Sequence, residues 1–235
     1  MKQILLFSLL LIVFSCDTLT KINNSLPLVV TEAEAAQGIR DALDKGVERG
    51  ISTLNVTDGF FGSQAYKLFM PEEARKIENT LRQLGMGAMV DKAILQINRA
   101  AEDAVGFARP IFVDAIKEMT IADAINIVKG SNDAATQYFR QKTTDRLVAA
   151  FTPVVKSSLE KFSATKYYAD VINTYNNFPT TLQKINPDLP SYVVGKAVDA
   201  LFDQVAKEEA NIRANPVART TEILRKVFGW AAASR

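Results

Sequence analysis

The chain has no histidine and one cysteine, Cys16, among 235 residues. Without histidine there is no Ser-His-Asp or Cys-His nucleophilic site, no HExxH zinc site and no di-iron bundle of the usual Glu/His kind. One cysteine excludes an intrachain disulfide, so packing alone must hold the core together, even in an oxidising compartment. Metal ligands would have to be oxygen atoms, yet no EF-hand loop occurs, and no phosphate-cradling Walker A pattern either. No cofactor is expected. A dominant charge is lacking too: 28 Lys and Arg stand against 26 Asp and Glu, a formal net charge of +2. There is no Lys/Arg run and no RNA-reading aromatic motif, so nucleic acid is not an expected partner. The longest apolar run, Ile4 to Phe14, has 11 residues. Crossing about 30 Å of hydrocarbon takes about 20, so a transmembrane helix is not expected.

That short run is itself informative. Lys2 precedes it, Ser15 follows it, and Cys16 comes next. A positive residue, an apolar stretch and a small residue form the order of a secretory signal peptide. The lone cysteine after the small residue makes the segment resemble a bacterial lipoprotein signal, with Val13 where such boxes usually carry Leu. The resemblance implies a signal peptide over 1–15, acylation of Cys16 and a mature chain from Cys16 to Arg235. Two or more acyl chains anchor stably where one holds only marginally, each buried methylene contributing about 0.8 kcal/mol. Residues 16–30 read as a lipidated tether. Within it, Asp17-Thr18-Leu19 resembles the O-glycosylation acceptor of some bacterial lipoproteins, and no acidic run follows Cys16 to direct surface export. The expected location is the bacterial cell envelope, facing the periplasm, with the membrane as a partner through the acyl chains.

From Thr31 onward the periodicity is helical. Thr31-Glu-Ala-Glu34 has capping-box spacing, and Ile39, Leu43, Val47, Ile51 and Leu54 follow on one stripe. TDGFFGS (57–63) breaks that helix, and Pro71 with Glu72 and Glu73 opens the next, which Gly85 closes. A pattern from about Gly87 to Met119 should be kinked or divided at Pro110. Thr120 caps a short helix ending at Gly130, and Asn132 is read as capping another through Gln141. Thr143 or Thr144 should start a further pair, bent or broken near Pro153 and reaching Tyr175. Three prolines in 177–190 mark the clearest internal linker and a candidate subdomain break. A helix from about Ser191 to Ile212 follows, and one after Asn215-Pro216 runs to Phe228, where Gly229 should stop it. No segment reads as a strand. The predicted fold is an all-α domain over 31–235 with roughly eight to ten helices, several of them short.

Two charges fall on apolar seams. Val194, Val198, Leu201 and Val205 alternate by four and three, and continuing the count lands on Glu208 and then Ile212. Val105, Arg109, Phe112, Ile116 and Met119 place a guanidinium in the same way. Buried charges are costly unless paired, so each either finds an internal partner or lines a polar pocket. Near Glu208, Arg213 and Arg219 with Asn215 supply donors suited to a carboxylate or phosphate. Arg109, Glu208, Glu209, Arg213, Asn215 and Arg219 are therefore the candidate binding cluster, with Glu208 expected to be more buried than Glu209. Lys196, Asp199, Asp203 and Lys207 read as a salt-bridged outer face. Tyr168, Ile172 and Tyr175 share a helical face that suits core packing.

The runs 108–139 and 208–229 resemble an uncharacterised bacterial family of exported helical proteins, a domain of unknown function. The similarity extends from about Ala36 to Gly229. It implies fold and export, and no catalytic residue. The first expectation is a non-enzymatic, lipid-anchored envelope protein binding a small ligand or a protein partner through a polar pocket. The alternatives are a carboxylate- and arginine-based hydrolase with Glu208 or Glu209 as base, or a structural subunit without a pocket.

Overall fold

The structure, a computed structural model, describes residues 29–179, 181 and 184–233. The signal segment 1–15, Cys16, Asp17-Thr18-Leu19 and most of the 16–30 tether lie outside the described residues. Among those described are nine α-helices: α1 Glu32–Leu54, α2 Arg75–Gln83, α3 Gly87–Val105, α4 Arg109–Lys117, α5 Ile121–Lys129, α6 Ala134–Lys161, α7 Ala164–Asn176, α8 Leu189–Ala214 and α9 Glu222–Ala233. Single 3-10 turns cover Glu72–Ala74 and Pro216–Ala218, and no strand occurs among the described residues. The fold is one helical domain.

Local chemistry starts α1 where the sequence indicated. The Thr31 hydroxyl accepts the Glu34 amide at 3.2 Å, and the Glu34 carboxylate accepts the Thr31 amide at 2.9 Å. Lys226 of α9 reaches the same carboxylate, and this bond, followed by those from Thr31, holds Glu34 down at about 2. Because the folded value lies below the ordinary 4.5, the contribution is present above pH 4.5 and is lost as pH falls toward 2. Glu34→Gln should therefore flatten the pH dependence of stability across that acid window, as read from urea midpoints.

Small residues on the buried face of α1 let other helices come close. Gly46 and Gly50 meet α8, where a Cβ on Gly46 would stand 3.3 Å from Val205 Cα. Gly38 meets α9 more tightly, since its Cβ would lie 2.7 Å from Val227 Cγ2. Val227 is fully buried and, being β-branched, cannot turn aside. Gly38→Ala should destabilise, because overpacking at about 1–3 kcal/mol exceeds the helix-propensity gain of about 1 kcal/mol. In a Val227→Ala background the same change should become neutral or stabilising, a sign reversal that thermal melts would detect.

Along its length α1 packs on α8, with α4, α5 and α9 at its sides, while α3 lies against α6 and α7. The core links these layers: Phe112 of α4 stacks on Phe139 of α6 at 5.6 Å and meets Phe202 of α8 edge-on at 5.7 Å. Buried residues lie on both sides of the 177–190 connection, among them Val171 and Ile172 before it and Val193 and Val194 after it.

Several expected boundaries differ. Pro110 does divide the 87–119 pattern, but as a residue of the first turn of α4. The expected break between Gln141 and Thr143 is absent, and α6 runs unbroken for 28 residues from an N-cap at Asp133 and not Asn132. Thr143 and Thr144 instead turn their hydroxyls back onto the Phe139 and Arg140 carbonyls, one turn earlier in the same helix. Pro153 also stays inside α6, where Leu147, Phe151, Val155 and Leu159 form a buried stripe on both sides of it. The chain turns only at Ser163, which sits in the left-handed region at φ 53°. Gly229 does not stop α9, which continues to Ala233 with Trp230 packed against the core.

Candidate functional site

The candidate cluster separates into a structural joint and three surface residues. Glu209 is buried and accepts from the Ala135 amide at 2.9 Å, the Thr136 amide at 2.8 Å and the Thr136 hydroxyl at 2.8 Å. Those amides are unpaired donors at the start of α6, so the carboxylate serves as its cap. Arg213, one turn further along α8, donates to Glu209 from Nε at 3.0 Å and Nη2 at 2.8 Å. It also donates to the Ile127 and Val128 carbonyls at the end of α5. Buried Arg219 closes α8 itself through the Ile212 and Arg213 carbonyls, at 3.0 and 2.9 Å. Two helix ends thus meet on one ion pair whose side chains are 5% and 3% exposed, and Arg219 closes a third beside it.

The remaining three lie elsewhere. Glu208 is half-exposed and reaches only Asn211 of the same helix, at 3.5 Å. The expectation that it would be the more buried member is overturned: Glu209 extends the Phe202–Val205 side of α8, where the start of α6 crosses, whereas Glu208 stays partly open to solvent. Arg109 is not on a seam, because the turn at 106–108 resets the helical phase before α4 begins. Its exposed guanidinium stands 3.6 Å from Asp44. Asn215 caps the following 3-10 turn by accepting the Val217 amide. Both Glu209 oxygens are occupied, by helix amides, a hydroxyl and a guanidinium.

A better site is built on the segment 55–71, which connects α1 to the 3-10 turn at Glu72 and contains no helix. A connection of this length without its own secondary structure is uncommon in a compact domain. It is held from beneath by two side chains one turn apart on α3. Fully buried Asn98 accepts the Leu68 amide at 2.9 Å and donates to the Leu68 and Ile94 carbonyls at 2.7 and 2.8 Å. Buried Glu102 accepts the Phe60 and Phe61 amides, each at 3.1 Å, and pairs with Arg99 at 2.7 Å. Arg99 in turn binds Asp58, a residue in the left-handed region at φ 68°. Gly59 is required next to it, because a Cβ there would lie 2.4 Å from the Leu54 carbonyl oxygen. Neither Asn98 nor Glu102 was among the expected residues, although both lie on the Ile94–Ile97–Ala101–Val105 stripe of α3. The seam argument applied to Glu208 would have found them.

So anchored, the segment forms one wall of a groove of about 590 Å³ whose other wall is α8. Tyr66, Lys67, Phe69, Glu72, Glu73 and Arg75 face Tyr192, Lys196, Asp199 and Asp203. The supposed outer face of α8 is thus partly a lining. The walls are tied at both ends. The Tyr192 hydroxyl donates to the Phe69 carbonyl at 3.0 Å. The Tyr66 hydroxyl donates to Asp203 and accepts from Lys207 at 2.6 Å and Gln204 at 3.1 Å. Burial first, then the Asp203 carboxylate, pushes the Tyr66 phenol above its ordinary value. Burial opposes ionisation of Asp203 as well, yet the bonds from Lys207 and Tyr66 hold it below the usual carboxylate range. Near neutral pH this triad is therefore phenol, carboxylate and ammonium: a fixed brace with no phenolate to act as base.

No curated protein and no solved structure matches the chain. The model of the family described as "Protein of unknown function (DUF4197)" matches residues 29–229, from just before the first helix into the last. The chain belongs to that family.

Proposed function

We propose that this is a non-enzymatic envelope protein, held on a membrane by acyl chains on Cys16, that binds a partner polypeptide in the groove between segment 55–71 and α8. The observation that carries the reading is the rigid support of an irregular segment at a groove wall. Asn98 and Glu102 are buried polar groups whose bonds go mostly to that segment's backbone. Rigid scaffolds that hold loops in place are how recognition surfaces are commonly made. Phe69 adds an apolar contact point, half exposed at the rim. The signal-type segment supports a periplasm-facing position, where the groove would meet other envelope proteins.

Two measurements test this. Intact mass of protein from its own host should show a diacylated or triacylated chain beginning at Cys16, and Cys16→Ser should leave the membrane fraction. A photoreactive phenylalanine analogue placed at position 69 should crosslink one partner, identified by mass and then rebound as a purified pair. The same analogue at Val148, exposed on α6 outside the groove, should not. An unmodified chain starting elsewhere rejects the anchor, and equal crosslinking at 69 and 148 rejects the groove.

A further inference from the structure

We infer that the segment received by this groove is acidic, with carboxylates on either side of an apolar or aromatic residue. The inference rests on the groove reading above and specifies its occupant. Most charges lining the groove are already compensated. Asp199 pairs with Arg140 at 2.8 Å, Asp203 with Lys207 at 2.8 Å, and Glu72 with Arg75 at 3.6 Å. Lys67 and Lys196 make no ion pair or hydrogen bond among the described residues. Their contacts are aromatic: the Lys67 ammonium lies 4.2 Å from the centre of the Phe61 ring and 5.7 Å from that of Phe69. The Lys196 ammonium lies 5.9 Å from the centre of the Tyr192 ring.

A cation over a ring face is oriented by the ring quadrupole and keeps its charge, while its N–H donors still seek acceptors. One such ammonium stands on each wall, Lys67 on the segment and Lys196 on α8. Glu73 is the lining carboxylate without an ion pair among the described residues. Two uncompensated cations thus face one uncompensated anion, and the complementary ligand carries acids. Tyr192 to Asp203 spans about 16 Å of helix, enough for about five residues of extended chain. A peptide of that length can place a carboxylate at each lysine and lay an apolar side chain on Phe69. A single small anion cannot do all three.

The test titrates the full-length lipidated protein in detergent with fluorescein-labelled peptides EEFEE, QQFQQ and KKFKK. The acidic peptide should bind at least fivefold tighter than the neutral one, and the basic one weakest. Its affinity should fall several-fold between 0.05 and 0.5 M salt, as exposed charge contacts do. Lys67→Glu and Lys196→Glu should each weaken it about tenfold. Lys67→Gln, with an unchanged thermal melt, guards against a folding defect at the Phe61 stack. Equal binding of EEFEE and QQFQQ overturns the charge assignment and leaves the groove reading standing. EEFEE binding insensitive to both lysine variants, or displaced by free glutamate at equal carboxylate concentration, overturns the inference. Binding of no peptide overturns it too, while crosslinking at position 69 decides separately whether the groove binds anything.

Discussion

Glu209→Ala is expected to destabilise the domain by about 3–5 kcal/mol, the range for removing one partner of a buried ion pair. The loss has two sources. Arg213 is left as a buried cation with only the carbonyls of Ile127 and Val128 as acceptors. The Ala135 and Thr136 amides at the start of α6 lose their acceptor where water does not reach. Glu208→Ala should cost under about 0.5 kcal/mol, as surface substitutions do. Urea melts of the pair decide the matter, with equal small losses refuting the joint. Glu209→Leu combined with Arg213→Met should recover part of the stability, because removing both charges leaves neither uncompensated.

The second large effect is expected at Asn98. Asn98→Leu leaves the Leu68 amide and carbonyl without partners in a fully buried place. At about 1–3 kcal/mol for each stranded group, the cost should reach about 2–5 kcal/mol. The effect should also be local: amide exchange at Leu68, Phe60 and Phe61 should accelerate far more than exchange along α1 and α8. Because that segment is a groove wall, crosslinking from position 69 should disappear while the α1–α8 core survives. Uniform acceleration across the whole domain would show that Asn98 supports the core and not the segment.

Sequence made the helices legible wherever the deciding forces act within a few residues. The capping box at Thr31, the cap at Thr120 and the division at Pro110 are of this kind. Thr143 and Thr144 misled because hydroxyls that bond back within a helix have the same composition as those that start one. Gly229 misled for a different reason, and Pro153 did not break its helix, since long-range packing carries α6 and α9 past both residues. In the site, periodicity marked α8 as carrying a buried carboxylate. The choice between Glu208 and Glu209 rested on where α6 begins, and no count along α8 contains that. Asn98 and Glu102 were legible and overlooked. Tyr66 meeting Asp203, Gln204 and Lys207 was not legible, because partners about 140 residues apart share no spacing rule.

The place of α1 also decides the order in which the molecule can be made. Its glycine-bearing face is covered by α8 and α9, which are synthesised after the other seven described helices. Until Leu189 and beyond have emerged, the glycine-bearing face of the first helix has no cover, although α4 and α5 already flank it. Contacts so distant along the chain form late and slowly. The nascent chain therefore cannot complete its core until α8 has been made. Fragments ending before residue 189 should lack the cooperative urea transition of the whole domain, because the α1–α8 interface is missing from them.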